Sequence, residues 1–111
     1  MSIPEISVQD FGEMLKSDDE FIVMDVREHW ELAQAKWDDP RVQVLPLSQL
    51  AQSGGVEPLE DDRQVIVVCH HGIRSAQVVN WLLSLGWENV FSLRGGIDAY
   101  AREVDASVGY Y

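Results

Sequence analysis

The chain predicts an α/β fold, a parallel sheet covered by helices on both faces. Three observations point there. Short strand-like runs at 21–26, 42–45, 64–68 and 89–93 alternate with segments of helical character. The runs at 21–26 and 64–68 are apolar almost throughout, the pattern of strands buried on both faces. No repeat, linker or low-complexity stretch breaks the order, so residues 1–111 are expected to form a single domain.

Ser7 followed by Asp10 resembles a capping box with Asp in place of Glu, and Val8, Phe11, Met14 and Leu15 recur at helical spacing. Residues 8–16 are therefore expected to be helical, and the polar stretch 17–20 ends them. The run 21–26 carries a carboxylate, Asp25, near its end. Residues 28–36 suggest a short helix with Trp30, Leu32 and Ala33, stopped by Asp38-Asp39-Pro40. A strand at 42–45, one or two helical turns at 48–52, a loop at 53–55 and a charged, exposed stretch at 57–63 follow.

The clearest strand is 64–68, β-branched throughout its apolar part. The clearest helix is 75–85: Val78, Val79, Leu82, Leu83 and Leu85 share a broad face, Trp81 lies at its edge, and Gly86 suits the position just past the end. A last strand at 89–93, a Gly95-Gly96 turn, a short helix at 97–104 and an irregular tail at 105–111 complete the order. Trp30, Trp37, Trp81 and Trp87 are expected in core or rim packing rather than in a cofactor box.

Composition narrows the function classes. The 111 residues are 46% hydrophobic, enough for one core, with a net charge of −11. That charge repels phosphate backbones and acidic lipid surfaces, so neither nucleic acid nor membrane is an expected partner. It suits a solvated acidic surface and could steer the chain toward basic partners. The longest apolar runs are strand-length, so nothing spans a membrane. The one cysteine makes no internal disulfide and the N-terminal residues are polar, which together point to the cytoplasm.

The stretch Val68-Cys69-His70-His71-Gly72-Ile73-Arg74-Ser75 carries the chemistry. In open α/β sheets ligands sit at the carboxyl ends of strands, where both Asp25 and Cys69 fall, so the two are expected to face one crevice. Gly72 lets the backbone turn successive N–H groups inward as an anion-binding nest. Ser75 suits the N-cap of the following helix, whose start adds partial positive charge, and Arg74 adds a full one. Such a cradle favours a thiolate over an inert core thiol, and it also suits an anionic donor or a persulfide. Cysteine-dependent phosphatases use a similar cradle with one more residue between cysteine and arginine. The four residues His70, His71, Gly72 and Ile73 make a smaller ring, better suited to moving one sulfur atom than to gripping a tetrahedral phosphate.

Here the chain resembles the rhodanese family of sulfurtransferases. Its loop Cys69-His70-His71-Gly72-Ile73-Arg74-Ser75 is similar to the family's C-x-x-G-x-R-S pattern. Asp25-Val26-Arg27-Glu28 resembles its D-V-R-E segment, and Leu93-Arg94-Gly95-Gly96-Ile97-Asp98-Ala99-Tyr100 its C-terminal glycine-pair signature, with Tyr where Trp is more usual. Ala33-Gln34-Ala35-Lys36-Trp37 stands where many members carry a glycine-histidine-isoleucine run. The resemblance implies a rhodanese-like domain and double displacement. Cys69 takes sulfur from a small donor such as thiosulfate and passes it to cyanide or a thiol, with a protein thiol as a further partner and without metal or organic cofactor.

Loop N–H groups from His70 to Ser75 would hold the persulfide anion. Asp25 and Arg27 either orient the loop and contact the substrate or form a structural strand-end pair. Arg74 either binds the donor's anionic end and holds the loop, or pairs with Asp25 or Glu28. His70 and His71 are expected on the pocket rim, where protonation would favour the thiolate; with Cys69 they are three consecutive residues, a poor tetrahedral metal set. Two other readings stand beside the enzyme: a persulfide carrier or regulatory binding module on the same fold, and a phosphatase or arsenate reductase, against which loop length argues.

Overall fold

The computed structural model describes residues 3–53 and 63–111. Five parallel strands, β1 (Glu5–Ile6), β2 (Phe21–Asp25), β3 (Val42–Val44), β4 (Gln64–Val68) and β5 (Val90–Leu93), form one sheet in the order β1-β5-β4-β2-β3. The helices are α1 (Val8–Lys16), α2 (His29–Leu32), α3 (Leu47–Ser53), α4 (Ile73–Ser84) and α5 (Gly96–Glu103), with a 3₁₀ turn at Ala106–Val108. Most of the loop expected at 53–55 and of the charged stretch at 57–63 lies outside the described residues. Among the described residues no helix is long and apolar enough to cross a membrane.

Strand side chains alternate between two cores. Ile22, Met24, Val65 and Val67 pack with Leu50, Val78, Val79, Leu82 and Trp87. Phe21, Val23, Ile66 and Val68 pack on the other face with Phe11, Trp37, Ile97 and Tyr100. Phe11 meets Trp37 and Tyr100 edge-to-face with centroids 5.4 and 5.9 Å away. Trp37 and Trp87 are buried and Trp81 packs at the core's edge, whereas Trp30 is 66% exposed and stands at the rim, edge-to-face with Tyr111.

Helix α1 starts as its sequence suggests, the Asp10 N–H donating to Ser7 Oγ at 3.1 Å. Its end uses a residue that local pattern does not reveal. Arg41 donates to the carbonyls of Leu15 and Ser17 at 2.9 and 3.1 Å, acceptors that a helix end leaves without partners, and to the Asp19 carbonyl just beyond at 3.0 Å.

Helix α2 is shorter than 28–36. Beyond Leu32 the Gln34 and Ala35 N–H groups both close onto the Glu31 carbonyl, at 3.0 and 3.3 Å, and the Lys36 N–H then leaves for the Val108 carbonyl at 2.9 Å, while the Ala35 carbonyl accepts from Arg27 at 2.8 Å. Strand β1 has no counterpart in the sequence reading, because two residues at a sheet edge carry no periodicity.

Topology places the site. The chain leaves β2 toward β3 and leaves β4 toward β5, in opposite directions along the sheet. The point where they diverge, at the carboxyl ends of β2 and β4, is the switch point at which sheets of this kind bind ligands. Asp25 is in register with Val68, so Cys69 and the turn after Asp25 are neighbours.

Candidate active site

Cys69 continues the alternation of Val65 and Val67, so its side chain turns toward α4 and is 1% exposed. The chain then makes a tight loop. Gly72 has φ +92° and is the N-cap of α4, which begins at Ile73. This corrects the expectation that Ser75 caps the helix. The left-handed turn at Gly72 starts the helix directly from the loop, and Ser75 becomes its third residue, buried, with its hydroxyl turned to the cysteine.

The Gly72 N–H donates to Cys69 Sγ at 3.1 Å and the Ser75 N–H at 3.3 Å, with Ser75 Oγ 3.4 Å away. Ser75 Oγ is 2.7 Å from Ser92 Oγ on β5, which completes a buried polar line from the sulfur into the sheet. The sulfur thus sits at the start of a twelve-residue helix under two backbone donors, where negative charge is stabilised.

The glycine pair lies beneath the loop. The Ile97 and Asp98 N–H groups, in the first turn of α5, donate to the Cys69 and His70 carbonyls at 3.0 Å each. A Cβ on Gly96 would overlap those same carbonyl oxygens, and one on Gly72 would stand 2.9 Å from the Gly95 nitrogen. The two signatures interlock because neither tolerates a side chain at the contact.

Asp25 and Arg27 are both fully buried. Arg27 Nε and Nη2 donate to the two Asp25 oxygens at 2.9 and 2.8 Å, and Nη1 donates to the Ala35 carbonyl at 2.8 Å and to the Tyr111 hydroxyl at 3.3 Å. A buried pair is tolerable when its remaining donors are satisfied in this way. Neither side chain has exposed surface, and each is held by the other and by its buried neighbours.

Arg74 pairs with neither Asp25 nor Glu28. It forms a two-pronged bond to Glu31, Nη1 to Oε2 at 2.8 Å and Nη2 to Oε1 at 2.6 Å. Glu31 also accepts from the Glu28 N–H and the Tyr111 hydroxyl, both at 2.9 Å. The Arg74 guanidinium, with these further donors, holds the Glu31 carboxyl down at about 2, and Glu31 in turn raises Arg74. The arginine therefore ties the loop to α2.

His70 is half-buried, stacked between His71 and Tyr111 with centroids 3.8 Å away on both sides. Burial, and then the neighbouring His71, holds it below its ordinary value. That direction favours the neutral ring and works against His70 as a cationic support for a thiolate. His71 is exposed, 4.0 Å from Asp98, and Ile73 is 69% exposed at the rim. Donor atoms of His70, His71 and Asp98 lie within 4.8 Å of one another. His70 Nε2 is already engaged with the Tyr111 carbonyl at 2.9 Å, which takes one of its two ring nitrogens away from any ion.

Sequence reasoning thus grouped the loop and the β2 end correctly in space. It missed Glu31, Ser92 and Tyr111. A serine within the otherwise apolar Val90–Leu93 strand was a signal for Ser92, and a second carboxylate three residues after Glu28 a signal for Glu31. Nothing local marks Tyr111.

A buried cysteine under loop and helix N–H groups, at the switch point of a parallel sheet, defines a class of α/β proteins with a cysteine-centred anion cradle. Within that class, the chain belongs to the rhodanese-like domain family, which it matches over residues 7–103. It is 32% identical over 102 residues to thiosulfate sulfurtransferase GlpE of Haemophilus influenzae (strain PittEE), covering 92% of this chain and 91% of that protein. A chloroplastic rhodanese-like/PpiC domain-containing protein 12 of Arabidopsis thaliana is 38% identical over 95 residues; the match covers 84% of this chain but spans only 31% of that protein. The crystal structure of a rhodanese-related protein from Thermoplasma volcanium superposes with a TM-score of 0.73 at 33% identity, covering 91% of this chain and 93% of that one.

Proposed function

We propose that the chain is a sulfurtransferase that carries one sulfane sulfur on Cys69, from thiosulfate or a similar donor to cyanide or a thiol. The observation that carries this reading is the convergence of the Gly72 and Ser75 N–H groups on Cys69 Sγ. The Cys69 thiolate attacks the outer sulfur of thiosulfate. The bond between the two donor sulfurs breaks and sulfite leaves with its electron pair, so Cys69 becomes a persulfide anion. An acceptor nucleophile then attacks the outer sulfur, and the Cys69 thiolate is the leaving group. Cyanide departs as thiocyanate and a thiolate as its own persulfide, with no net redox change and no call on a metal or organic cofactor.

The N–H groups of Ile73 and Arg74 open α4 and have no carbonyl within the helix to bond. They are the donors for the outer sulfur. Arg74 serves by fixing this turn through Glu31, and Asp25 and Arg27 fix the floor. His70 and His71 line the entrance with Ile73. A protein thiol is a further acceptor class, and a reducing compartment such as the cytoplasm keeps the single cysteine free.

Cys69→Ser is nearly isosteric but a poor sulfur nucleophile. It is expected to abolish thiocyanate formation from thiosulfate and cyanide while circular dichroism and the unfolding midpoint stay near wild type. Wild-type turnover in Cys69→Ser would overturn the mechanism. Persulfide formation without turnover would favour the carrier reading over the enzyme.

A further inference from the structure

We infer that Tyr111, in the tail beyond α5, is a positioning residue that holds the cysteine loop at both ends. The inference rests on the reading of Cys69 as the sulfur carrier. The Tyr111 ring stacks on His70 with centroids 3.8 Å apart and planes 8° apart, and its carbonyl is 2.9 Å from His70 Nε2. Its hydroxyl donates to Glu31 Oε1 at 2.9 Å and accepts from Arg27 Nη1 at 3.3 Å. Glu31 is the carboxylate that grips Arg74.

One phenol therefore meets the first residue after the cysteine by stacking. It meets the loop arginine through a shared carboxylate. Between these two anchors lie the Gly72 and Ser75 N–H groups that aim at the sulfur. Burial pushes the Tyr111 phenol up, so it stays protonated and remains a donor to Glu31 at neutral pH. The edge of Trp30 closes over the ring, with centroids 6.4 Å apart. Holding a loop's anchors is how a distant side chain preserves the aim of catalytic donors.

The neighbouring Tyr110 points elsewhere, which supplies a control. The Tyr110 hydroxyl donates to the Ala101 carbonyl on α5 at 2.9 Å, and Arg102 lies over its ring. Tyr110→Phe thus weakens the tail's attachment to α5 without touching the loop.

The test combines amide hydrogen exchange by NMR with the rate of Cys69 sulfur loading at saturating thiosulfate, followed by intact mass. In Tyr111→Ala, exchange of the Gly72 and Ser75 amides is expected to accelerate ~10-fold relative to the amides of β4, and loading to slow ~10-fold, the scale of losing one or two hydrogen-bonded anchors. Tyr111→Phe keeps the stack and loses the bridge, so it is expected to recover part of both effects. Tyr110→Phe is expected to leave both unchanged.

Unchanged Gly72 and Ser75 exchange in Tyr111→Ala overturns the inference, whatever the donor. So does an equal slowing of loading in Tyr110→Phe, which would reduce the tail to general stability. Faster exchange in Tyr111→Ala alongside a wild type that thiosulfate cannot load would uphold the loop-holding role and sink the sulfur-transfer reading instead.

Discussion

Replacing Gly96 by alanine isolates what the glycine pair does under the cysteine loop. Two separable penalties follow from the geometry. The first is conformational: Gly96 has φ +63°, and a Cβ in the left-handed region costs roughly 1–2 kcal/mol. The second is a collision. The new Cβ would fall against the Cys69 and His70 carbonyl oxygens, both of them backbone, so neither can swing aside as a side chain would. Relief requires moving α5 away from the loop, which lengthens the Ile97 and Asp98 N–H bonds to those carbonyls, each contributing about 1 kcal/mol. The total expected loss is about 3–4 kcal/mol, a large part of a small domain's stability. Gly86 supplies the internal comparison. It too has a left-handed φ, +96°, but a Cβ there meets nothing within 4 Å. Gly86→Ala should therefore lose only the conformational part, about 1–2 kcal/mol. Urea unfolding of both variants against wild type measures the difference. Equal losses in the two would refute the claim that backbone overlap at the loop adds to φ strain in requiring glycine at 96.

Further outcomes follow from the same contacts. Because Glu31 falls from 4.5 to about 2 on folding, its contribution is fully present above 4.5 and is lost as pH drops through 2. That shift corresponds to roughly 3 kcal/mol at most, and about 2 after allowing for screening where Arg74 is partly exposed. Glu31→Gln should thus be about 2 kcal/mol less stable than wild type at pH 7, with the gap narrowing by pH 2; parallel stability curves would contradict this. Ser75→Ala leaves the buried Ser92 hydroxyl without its partner and should cost about 1–2 kcal/mol, whereas Ser75→Ala with Ser92→Ala should cost less than the two single changes together. Strict additivity in that double-mutant cycle would show that the two hydroxyls do not act as a pair.

Much of the architecture was legible because it depends on local chemistry. The runs at Phe21–Asp25 and Gln64–Val68 announce buried parallel strands by their unbroken apolar character, and Ser7 announces α1 by capping it. The cysteine loop was legible because Gly72 and the glycine pair are demanded by backbone geometry and so leave a mark in the residues themselves. What the sequence does not reveal are decisions made by distant partners. The segment after α2 does not run on as helix to 36, because Val108 takes the Lys36 N–H. Ser75 serves the sulfur rather than the helix end because Gly72 already turned the chain. Arg74 chooses Glu31 over Asp25 because Arg27 saturates Asp25, and Tyr111 joins the site from far along the chain.

The most direct test of the central claim is the intact mass of the wild-type protein and of Cys69→Ser after incubation with thiosulfate, before and after cyanide. A gain of one sulfur atom in wild type alone, removed by cyanide with release of thiocyanate, is the predicted result. An unmodified wild-type mass in natively folded protein, or the same gain in Cys69→Ser, would contradict the assignment of Cys69 as the atom that carries the sulfur.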